Sequence, residues 1–209
     1  MKKTIGILGG MGPEATVDCF DKIIKNTPAA ADQDHLRVVI DSNPAVPDRT
    51  AAIIGDGDSP VPVMVAGCHT LQRAGADFII IPCGSAHVFL ADLQQQIELP
   101  ILSIFDAVAE AIKREYPDMK TVGLLGTTGT VSGGLFQKRL IMDEIRTLVP
   151  DSEMQSKIMS AVYDMKNAET PRSRSEITND LVAAAESLIS RKPEGAEGII
   201  AGCTEIPLA

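Results

Sequence analysis

Two stretches decide the fold: Thr4-Ile-Gly-Ile-Leu-Gly-Gly10 and Thr121-Val-Gly-Leu-Leu-Gly-Thr127. Each is a short apolar run broken by glycines. Each leads into turn residues and then a helical stretch: Met11-Gly-Pro-Glu-Ala-Thr16 after the first, Thr128-Gly-Thr-Val-Ser132 and then Leu135 to Leu148 after the second. That order reads as a buried strand feeding a turn and a helix. The chain starts over near residue 120.

A second matched pair follows. Phe78-Ile-Ile-Ile-Pro-Cys83 and Gly198-Ile-Ile-Ala-Gly-Cys203 are apolar runs that both end on a cysteine, 77 positions after Gly6 and 80 after Gly123. Matching strands and matching cysteines at nearly equal separation indicate an internal duplication. Between these anchors the pattern predicts a strand at His35 to Asp41 and helices at about Val61 to Ala74, Ile104 to Glu115, Glu153 to Asn167 and Ser175 to Arg191. Strands alternating with helices imply an α/β fold with parallel sheets covered on both faces.

The expected architecture is therefore two similar lobes, residues 1–103 carrying Cys83 and residues 104–209 carrying Cys203, related by a pseudo-two-fold. Ligands of open α/β sheets bind beyond the carboxyl ends of the strands, where both cysteines fall. Lobes that face each other would set the two thiols on opposite walls of one active-site cleft.

Composition narrows the functions. With 44% hydrophobic and 22% charged residues the chain is ordinary globular material, and its apolar runs are far shorter than the roughly 20 residues a membrane span needs. A net charge of −9 without a Lys/Arg cluster, and 3% aromatics without Trp, argue against nucleic acid as a partner. The N-terminus lacks the apolar stretch of a signal peptide, so a cytoplasmic protein is expected. Four cysteines with no CxxC pair suggest neither a disulfide framework nor a metal site. Cys19 and Cys68 have no counterparts in the other half and read as packing residues.

Two facing thiols suit one chemistry in particular. Racemising an amino acid removes the α-proton from one face and returns a proton to the other, and a thiol/thiolate pair can flank the carbon. Both cysteines precede small polar residues at a strand-to-helix turn, where backbone N–H groups favour negative charge.

At these residues the chain resembles the aspartate/glutamate racemase family, the cofactor-independent group that also includes hydantoin racemases. The likeness rests on Gly9-Gly-Met-Gly-Pro-Glu-Ala-Thr16, Pro47-Asp-Arg-Thr50, Pro82-Cys-Gly-Ser-Ala-His87, Leu125-Gly-Thr-Thr-Gly-Thr130, Tyr163-Asp-Met-Lys166 and Gly202-Cys-Thr-Glu-Ile-Pro-Leu208. Glu205, where cell-wall glutamate racemases usually carry His, looks like the aspartate/glutamate branch. The resemblance implies Cys83 and Cys203 as the two catalytic acid/base groups, and Arg49 and Lys166 as holders of substrate carboxylates. It implies Ser85, Thr127, Thr130 and Thr204 as hydroxyl or backbone donors around the substrate, with Met11 as an apolar wall. It also implies an aspartate- or glutamate-type substrate, no organic cofactor and a homodimer. His87 reads as a hydrogen-bonded structural residue.

The sequence departs from that pattern at two places. Gly84 stands where the family commonly has Asn, which removes a donor and an acceptor and frees the backbone beside the first thiol. Relatives usually continue past Cys-Thr-Glu-Ile-Pro-Leu with another strand and helix, so a longer natural product is expected. Two other readings stay open: an isomerase of another small acid or a hydantoin, and a small-acid binding protein weakened in catalysis at Gly84.

Overall fold

The computed structural model describes residues 2–209. The chain divides into two compact units, the first running to Ile104 and the second from Phe105 to Ala209.

In the first unit, β1 (Ile5–Gly9), α1 (Pro13–Lys25), β2 (Val38–Ser42), α2 (Arg49–Ile54), α3 (Val61–Arg73), β3 (Phe78–Ile80) and α4 (Leu90–Gln94) follow in order. β1 is the central strand, parallel to β2 on one side and to β3 on the other. All five of its residues are buried, as expected of a strand covered on both faces. Gly10 ends it at φ 90°, and a Cβ there would lie 2.3 Å from the Asn43 backbone, so only glycine fits. Pro13 then opens α1 at a position that needs no N–H donor.

In the second unit, α5 (Ile104–Glu115), which begins at the boundary residue, leads to β4 (Thr121–Leu125), α6 (Thr128–Gly133), α7 (Leu135–Ile141), β5 (Arg146–Leu148), α8 (Ser152–Lys166), α9 (Arg174–Ile189) and β6 (Gly198–Ala201). β4 is central and fully buried, with β5 and β6 parallel on its two sides. Strand order and direction thus repeat those of the first unit. A finer detail repeats as well. Asp77, just before β3, accepts the Thr4 N–H at 2.6 Å, and Glu197, just before β6, accepts the Lys120 and Thr121 N–H groups at 2.7 Å.

Each unit has its own apolar core. Leu8, Met11, Met64, Leu71, Ile79 and Cys83 belong to the first, and Leu125, Ile158, Val162, Leu188 and Cys203 to the second. Burying each large aliphatic side chain contributes about 1.5–3 kcal/mol. Phe105 and Phe136 meet edge to face in the second unit, with ring centroids 4.5 Å apart.

The structure corrects two local expectations. The helix read from Leu135 to Leu148 stops at Ile141, and residues 146–148 form β5, because a short edge strand on β4 competes with helical periodicity. Glu144, at φ 60°, makes the reversal between them. β2 begins at Val38 rather than His35, once a 3-10 turn at Asp32–Asp34 has ended. The remaining long helices lie within two residues of the expected bounds.

Candidate active site

Parallel pairing places each cysteine turn beside the turn that follows the central strand of its unit. Ile7 pairs with Ile80, so the turn at Gly10 and Met11 runs next to the turn carrying Cys83. Leu125 pairs with Ala201, so the turn at Thr127 runs next to the one carrying Cys203.

In the first unit, Cys83 is buried and its Sγ lies 3.6 Å from the Ser85 hydroxyl. The turn is pinned by His87. The ring Nδ1 is 2.9 Å from the Cys83 carbonyl, and Nε2 accepts the Ile104 N–H at 3.2 Å. These two partners suit a neutral ring with its proton on Nδ1, and the Leu102 carbonyl is a further backbone partner of the ring. Burial also holds the His87 pKa below its ordinary value, so the ring is a fastener, as read from the sequence.

α2 packs against the 3-10 turn at Ser85–Phe89. Asp48 caps this helix by accepting the Ala51 N–H at 2.8 Å, which sets Arg49 at its first position. The Arg49 side chain folds back to donate from Nη1 to the Val46 and Pro47 carbonyls, at 3.0 and 2.8 Å. Arg49 is 8% exposed and its Nε is buried with no hydrogen-bond partner. A buried guanidinium N–H left unpaired is costly, and a carboxylate oxygen is the kind of acceptor that would relieve it. Met11 is buried beside this turn. Gly84 has φ −60° and ψ −50°, right-handed helical values open to any residue. The backbone freedom expected of glycine at that position is therefore not used.

In the second unit, Cys203 is buried and donates its thiol hydrogen to Glu205 Oε2 at 2.9 Å. Glu205 Oε1 lies 3.4 Å from Nζ of Lys166, the last residue of α8. Thr204 reaches the same carboxylate, its hydroxyl 3.4 Å from Oε2. Burial, and then the Glu205 carboxylate, raise the Cys203 pKa above the ordinary thiol value. Thr127 and Thr130 are both buried, with hydroxyl oxygens 3.0 Å apart, and Thr127 Oγ1 also accepts the Thr130 N–H at 3.2 Å. Thr127 is thus the N-cap of α6.

The remaining thiols lie on helices, away from the strand-end turns. Cys68 is fully buried on α3 and burial pushes its pKa up to about 12, the behaviour of a packing residue. Cys19 is half-buried on α1. Among the described residues no three His, Cys, Asp or Glu side chains converge as metal ligands.

The sequence motifs set Ser85 and Thr204 beside the thiols and gave Lys166 to the substrate carboxylates, but Glu205 served only as a marker of branch. The available signal was its place two residues after Cys203, close enough within one turn to reach the sulfur.

The family model described as Asp/Glu/hydantoin racemase matches residues 8–209. The chain belongs to that family. Among solved members, the aspartate racemase of Picrophilus torridus superposes with a TM-score of 0.84 at 30% identity, covering 99% of this chain and 83% of that one. An aspartate racemase homologue from Pyrococcus horikoshii OT3 gives 0.71 at 27% identity, covering 100% and 88%. A broad specificity amino-acid racemase of Bacillus subtilis is 36% identical over 142 residues, which is 65% of this chain and 60% of that protein. The chain thus spans less than two thirds of that racemase's length. The racemase fold accounts for the two parallel three-stranded sheets flanked by helices.

Proposed function

We propose that this chain racemises a small acidic amino acid, aspartate or glutamate, by a two-base mechanism carried by Cys83 and Cys203 without an organic cofactor. The observation that carries the reading is the equivalence of the two thiols. Each is buried at the end of the third strand of its unit, in a turn beside that of the central strand, and each has a side-chain oxygen as neighbour. One thiolate takes the α-proton, the electron pair stays on the α-carbon and its carboxylate, and the opposite thiol returns a proton to the other face. The reading requires both sulfurs to reach one α-carbon.

Arg49 supports the acidic substrate, since its buried Nε has no internal partner and suits a carboxylate oxygen. Met11 provides an apolar neighbour, and Ser85, Thr127, Thr130 and Thr204 provide hydroxyl groups. Lys166, read from the motif as a second carboxylate holder, would have to leave Glu205 or contact both. A homodimer rests on the family likeness alone, and the mass in solution tests it.

The test is a chiral assay of aspartate and glutamate in D₂O, with the wild type and the Cys83→Ala and Cys203→Ala variants. Racemisation with α-hydrogen exchange, lost in both variants and indifferent to added pyridoxal phosphate, is expected. Binding without exchange would instead favour a small-acid binding protein.

A further inference from the structure

The two cysteine turns differ in the group that faces the sulfur. Two positions after Cys83 stands Ser85, a neutral hydroxyl 3.6 Å from the sulfur, whereas two positions after Cys203 stands Glu205, a carboxylate at 2.9 Å. Glu205 is only 4% exposed, and its other oxygen is 3.4 Å from Lys166. We infer that Glu205 is a positioning residue that keeps the proton on Cys203, with Lys166 as the counterweight, so that Cys203 is the acid of the resting protein. The catalytic meaning of this inference rests on the racemase reading.

A carboxylate that accepts an S–H bond stabilises the thiol, because ionising the sulfur would set two negative charges about 3 Å apart in a water-poor site. Lys166 acts the other way by neutralising the carboxylate. The charged groups acting on the sulfur are Glu205 from its own turn and Lys166 from α8. Leu125, Ile158, Ala161 and Val162, in the same apolar cluster, carry none.

The consequence is a preferred direction for the first turnover. Cys203 delivers its proton to the α-carbon while Cys83, as the thiolate, takes the α-proton, leaving Cys83 protonated and Cys203 ionised beside Glu205. That state is the less stable one, and it is relieved when Cys83 gives its proton up to solvent and Cys203 takes one back. The enantiomer that needs Cys203 as base meets the protein in the wrong protonation state.

The experiment is alkylation of the intact protein with iodoacetamide over a pH series, read peptide by peptide in the mass spectrometer. Near neutral pH, Glu205→Gln raises the Cys203 rate about tenfold, the effect of about one pKa unit, and Lys166→Met lowers it by a similar factor. The Cys83 peptide is the internal reference and changes little. A packing role would open the site in both variants and move both rates upward. An unchanged or slower Cys203 in Glu205→Gln, or a faster one in Lys166→Met, overturns the inference. Should Glu205→Gln fail to fold, the sign of the Lys166→Met change decides alone. The titration needs no turnover, so a chain that fails to racemise sinks the functional proposal and leaves this result readable.

Discussion

The His87 ring bridges the Cys83 carbonyl, 2.9 Å from Nδ1, to the Ile104 N–H, 3.2 Å from Nε2. Protonating this ring would cost the Ile104 N–H its acceptor and bury a charge, which the Cys83 and Leu102 carbonyls offset only in part. The His87 pKa lies below its unfolded value of 6.5, first through burial. The unfolded chain therefore binds the proton more readily, and stability falls as pH drops from about 6.5 through the lowered folded value. Above 6.5 both states are neutral and the effect is absent. Urea unfolding across that window is expected to show a steeper acid loss for the wild type than for His87→Gln, and equal slopes would refute the assignment.

Arg49 ties down two carbonyls while its Nε waits unpaired. Arg49→Lys keeps a charge but loses the fork. It is expected to raise KM for aspartate or glutamate at least about tenfold, a loss of about 1.4 kcal/mol in binding, with a smaller change in kcat. A larger fall in kcat than rise in KM would place Arg49 in the chemical step instead.

Gly84 adopts helical dihedrals that any residue tolerates, so Asn can be installed there without backbone strain. Gly84→Asn adds a donor and an acceptor next to Cys83 and is expected to raise turnover on aspartate or glutamate. Unchanged or lower turnover in the chiral assay would remove position 84 from the substrate contacts.

Gly202 precedes Cys203 in a place with no room for a side chain. A Cβ there would sit 2.5 Å from Leu124 Cδ1 and 3.1 Å from the Leu125 carbonyl oxygen. Gly202→Ala is expected to cost about 1–3 kcal/mol in urea unfolding and to lower turnover by displacing the thiol. Full activity with full stability would show that the turn has slack the structure does not suggest.

Much of this was legible in the sequence because the signals are local. The apolar runs at Ile5 and Thr121, with their glycines and following helix starts, specify buried parallel strands. Their repetition with Cys83 and Cys203 exposes the duplication. The helix starts expected at about Glu153 and Ser175 come within one residue of the observed ones, where Asp151 and Ser173 are local N-caps, whereas the short α2 capped by Asp48 was not expected. β5 was misread as helix because three residues carry little periodicity and become a strand only when β4 offers its edge.

The sequence by itself determined the two-unit α/β fold, the family and the pair of equivalent cysteines, since periodicity and spacing are properties of the chain. Only the tertiary structure decided what each thiol and cation touches. It brought Lys166 from the end of α8 onto Glu205, folded Arg49 back onto its own turn with one N–H unpaired, and gave Cys203 a carboxylate where Cys83 has a hydroxyl. Electrostatic partners depend on distances of a few ångströms and on the exclusion of water, and residues almost forty positions apart meet only after the sheet and helices have packed.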